Sequence, residues 1–204
     1  MMSLMEKAKR KEYLNWPNYL SFLRIILVPV VMICMMWISP ERSPRYNLEI
    51  GLFALVLFVI AGISDVVDGY VARRMKINNV FGKFLDPLAD KLMLLGVLTM
   101  LIPIDRVPAW LVVVIMSREI IITALRGVAI HEQIVIVASY WGKKKTACQN
   151  VGLGGLLIYY PMFGIDLKLV GWFFLILSLV ISLGSGFLYV RSFFKMVGQK
   201  VLIK

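Results

Sequence analysis

Six apolar stretches, separated by short polar segments, run through the chain from about residue 15 to about residue 190. Each approaches the roughly 20 residues that an α-helix needs to cross the hydrocarbon core of a bilayer. The stretches cover about residues 15–38, 48–64, 86–104, 109–130, 147–163 and 167–190. The pattern predicts an all-α, polytopic membrane protein in which six transmembrane helices form one domain over residues 16–190.

The two ends of the chain are basic. Residues 1–15 carry Lys7, Lys9, Arg10 and Lys11 among apolar side chains, which favours a juxtamembrane amphipathic helix lying on the membrane surface. A disordered basic tail fits the same composition equally well. The long span that follows has no small-residue cleavage site, so the segment is expected to be retained. Residues 191–204 are predicted to be a basic cytoplasmic tail.

Composition supports a membrane protein. Hydrophobic residues make up 60% of the 204 residues and the mean hydropathy is +0.81, well above the apolar usage of soluble domains. The formal charge of +11 does not indicate a nucleic-acid partner, because the basic residues lie between apolar spans and not on one soluble face. Anionic lipids and phosphate compounds are the expected partners.

Cys34 and Cys148 show no metal-ligand spacing, and His131 is the only histidine, which excludes a multi-histidine site.

Lysine and arginine are distributed unequally between alternate connecting segments. With six spans and the amino terminus inside, 15 of these residues fall in the inner segments, and four fall in the outer segments: Arg42, Arg45, Arg106 and Lys168. Basic residues concentrate in cytoplasmic segments. The count therefore predicts that both termini, the aspartate-rich segment and the lysine triplet at 143–145 lie on the cytoplasmic side, most simply of a bacterial inner membrane.

Four of the six aspartates lie between residues 65 and 90. Asp65 and Asp68 are three apart, and Asp86 and Asp90 are four apart, so on helices each pair projects from one face. Both pairs adjoin very apolar stretches, where a charge needs a partner. Carboxylate oxygens at this density suit Mg²⁺, Mn²⁺ or Ca²⁺ better than zinc. The pattern predicts a metal site, and structural ion pairing is the alternative.

Small residues and an arginine occupy fixed positions between the two acidic pairs. The pattern D-x2-D-G-x2-A-R-x8-G-x3-D-x3-D is formed by Asp65, Asp68, Gly69, Ala72, Arg73, Gly82, Asp86 and Asp90. It resembles the signature of the CDP-alcohol phosphatidyltransferases in both residue type and spacing. The resemblance implies the CDP-alcohol phosphotransferase fold, a homodimer, and two divalent cations, Mg²⁺ or Mn²⁺, held by the four aspartates.

The resemblance also implies roles for individual residues. Asp90 would additionally act as general base, and a CDP-linked lipid would be held by Gly69, Ala72, Arg73, Asn79 and Gly82, of which Asn79 lies outside the fixed signature. A second pattern, N-x-P-N-x-L-S-x-x-R over residues 15–24, resembles an amino-terminal motif of one branch of the family. It would place Asn18 and Ser21 near the nucleotide.

Four basic residues of the second half indicate a phosphorylated acceptor. Arg118 and Arg126 are eight residues apart, close to one helical face, and suit a shared phosphate. Lys143 and Lys145 belong to a G-K-x-K-T-x-x-Q pattern that resembles a motif of the branch that uses glycerol 3-phosphate. Pairing of either arginine with Glu119 or with a membrane-facing aspartate is the structural alternative. We expect CDP-diacylglycerol as donor and glycerol 3-phosphate as acceptor.

Other functions remain open from the sequence alone. Cardiolipin synthases and inositol phosphate phosphatidyltransferases of the same family differ in the acceptor that they use. A membrane cation or proton transporter would also place aspartates and arginines within the membrane. That function leaves the glycine and arginine spacing between the acidic pairs unexplained, and no inverted repeat is evident.

Overall fold

The computed structural model describes residues 16–75, 80–132 and 140–202, and these residues form six α-helices without a β-strand. The helices are α1 (Trp16–Met36), α2 (Pro44–Met75), α3 (Val80–Leu101), α4 (Ala109–His131), α5 (Tyr140–Ile158) and α6 (Leu167–Leu202). The prediction of an all-α protein is therefore confirmed. The chain divides into two compact units between Ile104 and Asp105, the first holding α1 to α3 and the second α4 to α6. Residues 1–15, predicted to form a surface helix, lie outside the described part.

Several helices extend beyond the apolar stretches that predict them. Helix α2 continues through the first acidic pair to Met75, and α3 begins at Val80, six residues before Asp86. Helix α5 begins at Tyr140 and so contains the lysine triplet, while α6 continues through the basic residues beyond 190 to Leu202. Once a helix has formed, each added residue contributes another backbone hydrogen bond. Hydropathy therefore marks a candidate span but not the full helix.

Two stretches of the described helices are long and apolar enough to cross a membrane, Pro44–Ser64 in α2 and Leu167–Gly198 in α6. A shorter apolar stretch, Phe22–Met36, lies in α1. The other predicted spans are largely helical, although α5 ends at Ile158, before the predicted end of the fifth span at 163. Their membrane crossing stays a prediction.

In the first unit, α1 packs against both α2 and α3. The connection from α1 to α2 is fixed by the buried Asn47, whose Nδ2 donates to the Ser39 carbonyl oxygen at 2.8 Å. Ser43 caps α2, since its Oγ accepts from the Tyr46 backbone N–H at 3.3 Å. Helices α1 and α3 approach closely at Gly96, where an added Cβ would lie 3.1 Å from the Met32 sulfur. This contact sets the distance between α1, which carries Arg24, and α3, which carries Asp86 and Asp90.

In the second unit, glycines bring the backbones of α5 and α6 together. A Cβ added at Gly155 would lie 2.8 Å from the Gly171 Cα, and one added at Gly152 would lie 2.7 Å from the Leu175 backbone nitrogen. Such approach is typical of small residues at helix contacts in membranes. Gly152 and Gly155 therefore allow α5 and α6 to pack closely.

Arg106 anchors the carboxyl end of α5. Its Nη1 donates to the carbonyl oxygens of Leu156 (2.8 Å) and Leu157 (2.6 Å), and its guanidinium lies 4.6 Å from the Tyr159 ring centroid. A cation at this position satisfies terminal carbonyls and complements the helix dipole. Burial lowers the pKa of the Arg106 guanidinium, and the neighbouring tyrosines, Tyr160 first, oppose that effect. The side chain thus has a structural role at this end of the second unit.

Candidate active site

The second acidic pair meets an arginine from another helix. Arg24 of α1 donates from Nη1 to Asp90 Oδ1 at 2.7 Å and from Nη2 to Asp86 Oδ1 at 3.4 Å. Asp86 and Asp90 lie one turn apart on α3, so one guanidinium fork reaches both carboxylates. This confirms that the spacing of four residues places both carboxylates on one face of a helix.

Burial differs sharply between the partners. The Arg24 side chain is 2% exposed, whereas the side chains of Asp86 and Asp90 are 43% and 55% exposed. A buried guanidinium is stable only with compensating negative charge. The carboxylates thus balance a cation on the packed side of α3 and still present accessible surface. Both carboxylates therefore remain partly accessible while they are paired with Arg24.

The donor set at this position suits a hard divalent cation. Two carboxylates converge on one point, and carboxylate oxygens are ligands that Mg²⁺ and Mn²⁺ favour. Asp65 and Asp68 are part of the continuous helix α2, but their side chains lie outside the described part of the structure. Among the described side chains, no three His, Cys, Asp or Glu groups come together. The residues present fit a divalent cation, and the full ligand set stays a prediction.

All seven residues predicted to hold the CDP-linked lipid fall outside the described side chains. Their helices are described, however: α1 carries Asn18 and Ser21, α2 carries Gly69, Ala72 and Arg73, and α3 carries Gly82. Asn79 lies between α2 and α3, outside the described residues. Their roles in nucleotide binding stay predictions.

In the second unit, Arg118 is held by three contacts. It donates from Nε to the Ser182 carbonyl oxygen (3.0 Å), from Nη2 to Ser185 Oγ (3.0 Å) and from Nη1 to Glu119 Oε1 (3.2 Å). The first two contacts join α4 to α6, and Glu119 also accepts from Lys145 Nζ of α5. Arg118, Glu119 and Lys145, here called the ion cluster, thus connect three helices. The pairing of Arg118 with Glu119, considered above as an alternative, is present.

The structure brings together two of the four predicted acceptor-site cations. Arg118 and Lys145 meet at Glu119, while Arg126 and Lys143 are exposed. Lys143 and Lys145 are two residues apart on α5, and side chains at that spacing do not share a helix face. The helix therefore separates two lysines that the sequence motif groups together.

Tertiary contacts place Arg24 and Glu119 in the two charged sites, although the sequence patterns assign neither residue a role in binding or catalysis. Arg24 lies in the amino-terminal motif and in an apolar stretch, which fits a side chain that merely reaches back to the membrane surface. Glu119 is the single acidic residue of α4. An ionisable residue in an apolar helix signals a functional contact, but only tertiary packing identifies its partners.

Comparison of the sequence with known proteins identifies a family and several relatives. The sequence model of the CDP-alcohol phosphatidyltransferase family matches residues 14–184. A CDP-diacylglycerol–glycerol-3-phosphate 3-phosphatidyltransferase of Bacillus subtilis is 42% identical over 153 residues, covering 71% of this chain and 77% of the relative. A protein of the same name from Rickettsia felis is 31% identical over 179 residues, covering 87% and 94%.

A third relative, a probable phosphatidylglycerophosphate synthase of Mycobacterium tuberculosis, is 34% identical over 157 residues, covering 77% of this chain and 71% of the relative. The family match spans most of the chain, including both acidic pairs, Arg24 and the ion cluster. The chain belongs to the CDP-alcohol phosphatidyltransferase family.

Proposed function

We infer that this protein transfers the phosphatidyl group of CDP-diacylglycerol to sn-glycerol 3-phosphate, which yields phosphatidylglycerophosphate and CMP. The observation that carries the inference is the complete acidic signature of residues 65–90 in a chain whose relatives bear the name of that activity. The convergence of Asp86 and Asp90 on one buried guanidinium supports it, because it gathers the carboxylates at one position.

Asp90 is the general base of this reaction. It takes the proton from the free primary hydroxyl of glycerol 3-phosphate, and the resulting oxygen attacks the β-phosphorus of CDP-diacylglycerol. A phosphorus–oxygen bond forms to the acceptor while the anhydride bond breaks, and CMP leaves with the bonding electron pair. The accessible carboxylate of Asp90 supports this role, since a base must reach its proton directly.

Asp65, Asp68, Asp86 and Asp90 would hold two divalent cations, Mg²⁺ or Mn²⁺. Such cations supply charge neutralisation at the diphosphate. Oxygen ligands and half-exposed side chains support this assignment for Asp86 and Asp90. The assignment of Asp65 and Asp68 rests on the family signature.

The CDP moiety is bound by residues around the acidic pairs, and the acceptor phosphate by cations of the second unit. The donor-binding residues are Asn18, Ser21, Gly69, Ala72, Arg73, Asn79 and Gly82. The acceptor-binding residues are Arg118, Arg126, Lys143 and Lys145. Partial exposure of Arg118 and the exposed side chains of Arg126 and Lys143 support anion binding by these groups.

The enzyme is membrane-associated, and two stretches of its helices have the length and composition of spans. We propose that it crosses the bacterial inner membrane six times, forms a homodimer, and has both termini and its active site on the cytoplasmic side. The excess of basic residues in the inner segments supports this orientation.

The test is CMP release by detergent-purified protein supplied with CDP-diacylglycerol and Mg²⁺ or Mn²⁺. Release should require glycerol 3-phosphate, stop on removal of the metal with a chelator, and be lost in Asp86→Ala. Release only with phosphatidylglycerol or inositol 1-phosphate would retain the family chemistry and change the acceptor. Absence of release with every acceptor would contradict the transferase activity and favour a transporter.

A further inference from the structure

Glu119 joins two of the cations that the proposed function assigns to the acceptor phosphate. Its Oε1 accepts from both Arg118 Nη1 and Lys145 Nζ, so two positive groups from different helices meet on one oxygen. The side chains of Glu119, Arg118 and Lys145 are 13%, 14% and 7% exposed. At such burial the mutual attraction is only weakly screened by solvent.

Arg118 is anchored on α6 as well as paired with Glu119. Its Nε and Nη2 are used by Ser182 and Ser185, and α6 presents a glycine at the neighbouring position, Gly186. A Cβ added at Gly186 would lie 3.2 Å from Arg118 Nε, so this glycine gives the guanidinium room. Adjacent residues of a helix do not normally face one another. The contact of Arg118 with Glu119 therefore depends on this anchoring on α6.

Lys145 differs from Arg118 in the flexibility of its side chain. A lysine ammonium sits on a flexible four-carbon chain and carries several possible rotamers. Its contact with Glu119 places the ammonium beside the Arg118 guanidinium. The charges of Arg118, Lys145 and Glu119 sum to +1, which leaves the cluster attractive to an anion while limiting repulsion between its two cations.

We propose that Glu119 is a positioning residue that holds the Lys145 ammonium beside the Arg118 guanidinium and so sets the affinity for the phosphate of the acceptor. This inference rests on the proposed function. Glu119 acts through the two cations and does not contact the acceptor, because a carboxylate facing a phosphate dianion would be repelled. Its loss weakens binding of the acceptor and leaves binding of CDP-diacylglycerol unchanged.

The experiment measures CMP release by wild type and Glu119→Gln while glycerol 3-phosphate and CDP-diacylglycerol are varied in turn. Removing the hydrogen-bond partner that orients a metal ligand lowers metal affinity or activity by about 10- to 100-fold. Glu119 orients a phosphate-binding cation in the same way, so we expect the KM for glycerol 3-phosphate to rise by about tenfold in Glu119→Gln. The KM for CDP-diacylglycerol should stay within about twofold, and kcat should change little, as when uniform binding is removed. Inhibition by inorganic phosphate should weaken in parallel with acceptor binding.

Glu49→Gln is the matched control. Glu49 also pairs with an arginine, Arg45, but both side chains are exposed, at 63% and 89%. Exposed pairs contribute little to stability. This variant should retain the wild-type KM for both substrates.

A double-mutant comparison separates positioning from a structural role. If Glu119 acts through Lys145, then Glu119→Gln should raise the KM for glycerol 3-phosphate little further in a Lys145→Met background. The double variant removes one cation together with the carboxylate, so the cluster keeps its net charge of +1 and Arg118 keeps its contacts with Ser182 and Ser185. Glu119→Asp, which keeps the charge on a shorter side chain, should recover part of the affinity lost in Glu119→Gln.

An unchanged KM for glycerol 3-phosphate in Glu119→Gln, or full additivity with Lys145→Met, would overturn the inference and leave Glu119 with a purely structural role. A lowered thermal midpoint alone would not support it. Absence of glycerol 3-phosphate-dependent CMP release in the wild type would instead contradict the proposed function, so the two failures are distinguishable.

Discussion

At the residue scale, the contrast between Arg24 and its partners defines the first candidate site. A nearly inaccessible guanidinium holds two carboxylates that remain about half exposed. The arginine therefore contacts the acids from the packed side while both carboxylate side chains keep accessible surface. Because one fork reaches both side chains, their separation is set by the rigid geometry of the guanidinium.

Replacing Arg24 with lysine should impair catalysis more than folding. A lysine keeps the charge but has a single nitrogen, which cannot span two carboxylates with the geometry of the guanidinium fork. A small misplacement of a catalytic group can lower the rate by about 100-fold, and we expect kcat to fall by at least about tenfold. Arg45→Lys, at an exposed pair, should behave as wild type in the same CMP-release assay. A wild-type kcat in Arg24→Lys would show that bridging of the two carboxylates is dispensable.

Asp90→Asn should abolish transfer while leaving binding of CDP-diacylglycerol largely intact. A positioned general base typically contributes about 10²- to 10⁴-fold to the rate, and asparagine cannot accept the proton. The measurement pairs CMP release with binding of CDP-diacylglycerol by calorimetry. Asp105→Asn is a suitable control, since Asp105 is exposed and its φ of 54° is one that asparagine adopts readily. Normal turnover in Asp90→Asn would exclude this residue as the base.

At the scale of elements, the helix bounds and contacts matter more than hydropathy alone. The first unit relies on α1 packing against α2 and α3, with close approach at Gly96. The second unit relies on the glycine contact of α5 with α6, and α6 in turn carries the anchors of Arg118. Small residues thus place the charged side chains by setting helix separation.

Gly155→Ala should destabilise the protein. The added Cβ would lie 2.8 Å from backbone atoms of Gly171, so the two helices have to move apart. Overpacking of this kind typically costs about 1–3 kcal/mol. We expect a lower thermal midpoint for the detergent-solubilised variant, followed by tryptophan fluorescence.

Gly184→Ala is the control within the same unit. No described atom lies within 4 Å of an added Cβ at this helical position. Alanine is favoured over glycine in a helix by about 1 kcal/mol, so the midpoint should stay unchanged or rise. Equal midpoints for Gly155→Ala and Gly184→Ala would contradict the role of close backbone contact.

At the scale of the whole molecule, charge distribution predicts the orientation in the membrane. Residues 159–166, between α5 and α6, contain no lysine or arginine, and the single Lys168 follows them at the start of α6, while the beginning of α5 carries three lysines. The proposed topology therefore places residues 159–166 outside the cytoplasm and residues 143–145 inside it. Phe163, with 92% of its surface exposed, lies at a turn stabilised by backbone hydrogen bonds between Met162 and Ile165.

Single cysteines should report this orientation in intact cells. In a background with Cys34→Ala and Cys148→Ala, Phe163→Cys should react with an impermeant maleimide added outside. Lys144→Cys, also exposed, should react only after the membrane is permeabilised. The opposite labelling pattern would reverse the proposed topology, and CMP release by each variant would verify that the protein remains functional.

The sequence by itself determined the helical class, the spacing of the acids and the family signature. Each of these properties is local, because helical periodicity places residues three or four apart on one face regardless of the rest of the fold. The position of Asp86 and Asp90 on one face of α3 was predictable for that reason. Hydropathy located the helices but not their ends, since a helix continues through polar residues such as the lysines of α5 and the arginine at 191.

Tertiary structure alone decided which charges meet. Arg24 and Asp90 are 66 residues apart in the chain, and Glu119 and Lys145 are 26 apart. Nothing in local periodicity selects such partners, because the choice depends on which helices pack and how closely glycines such as Gly96 allow them to approach. Packing therefore places Arg24 and Glu119, ionisable residues within apolar stretches of the sequence, at the centres of the two charged sites.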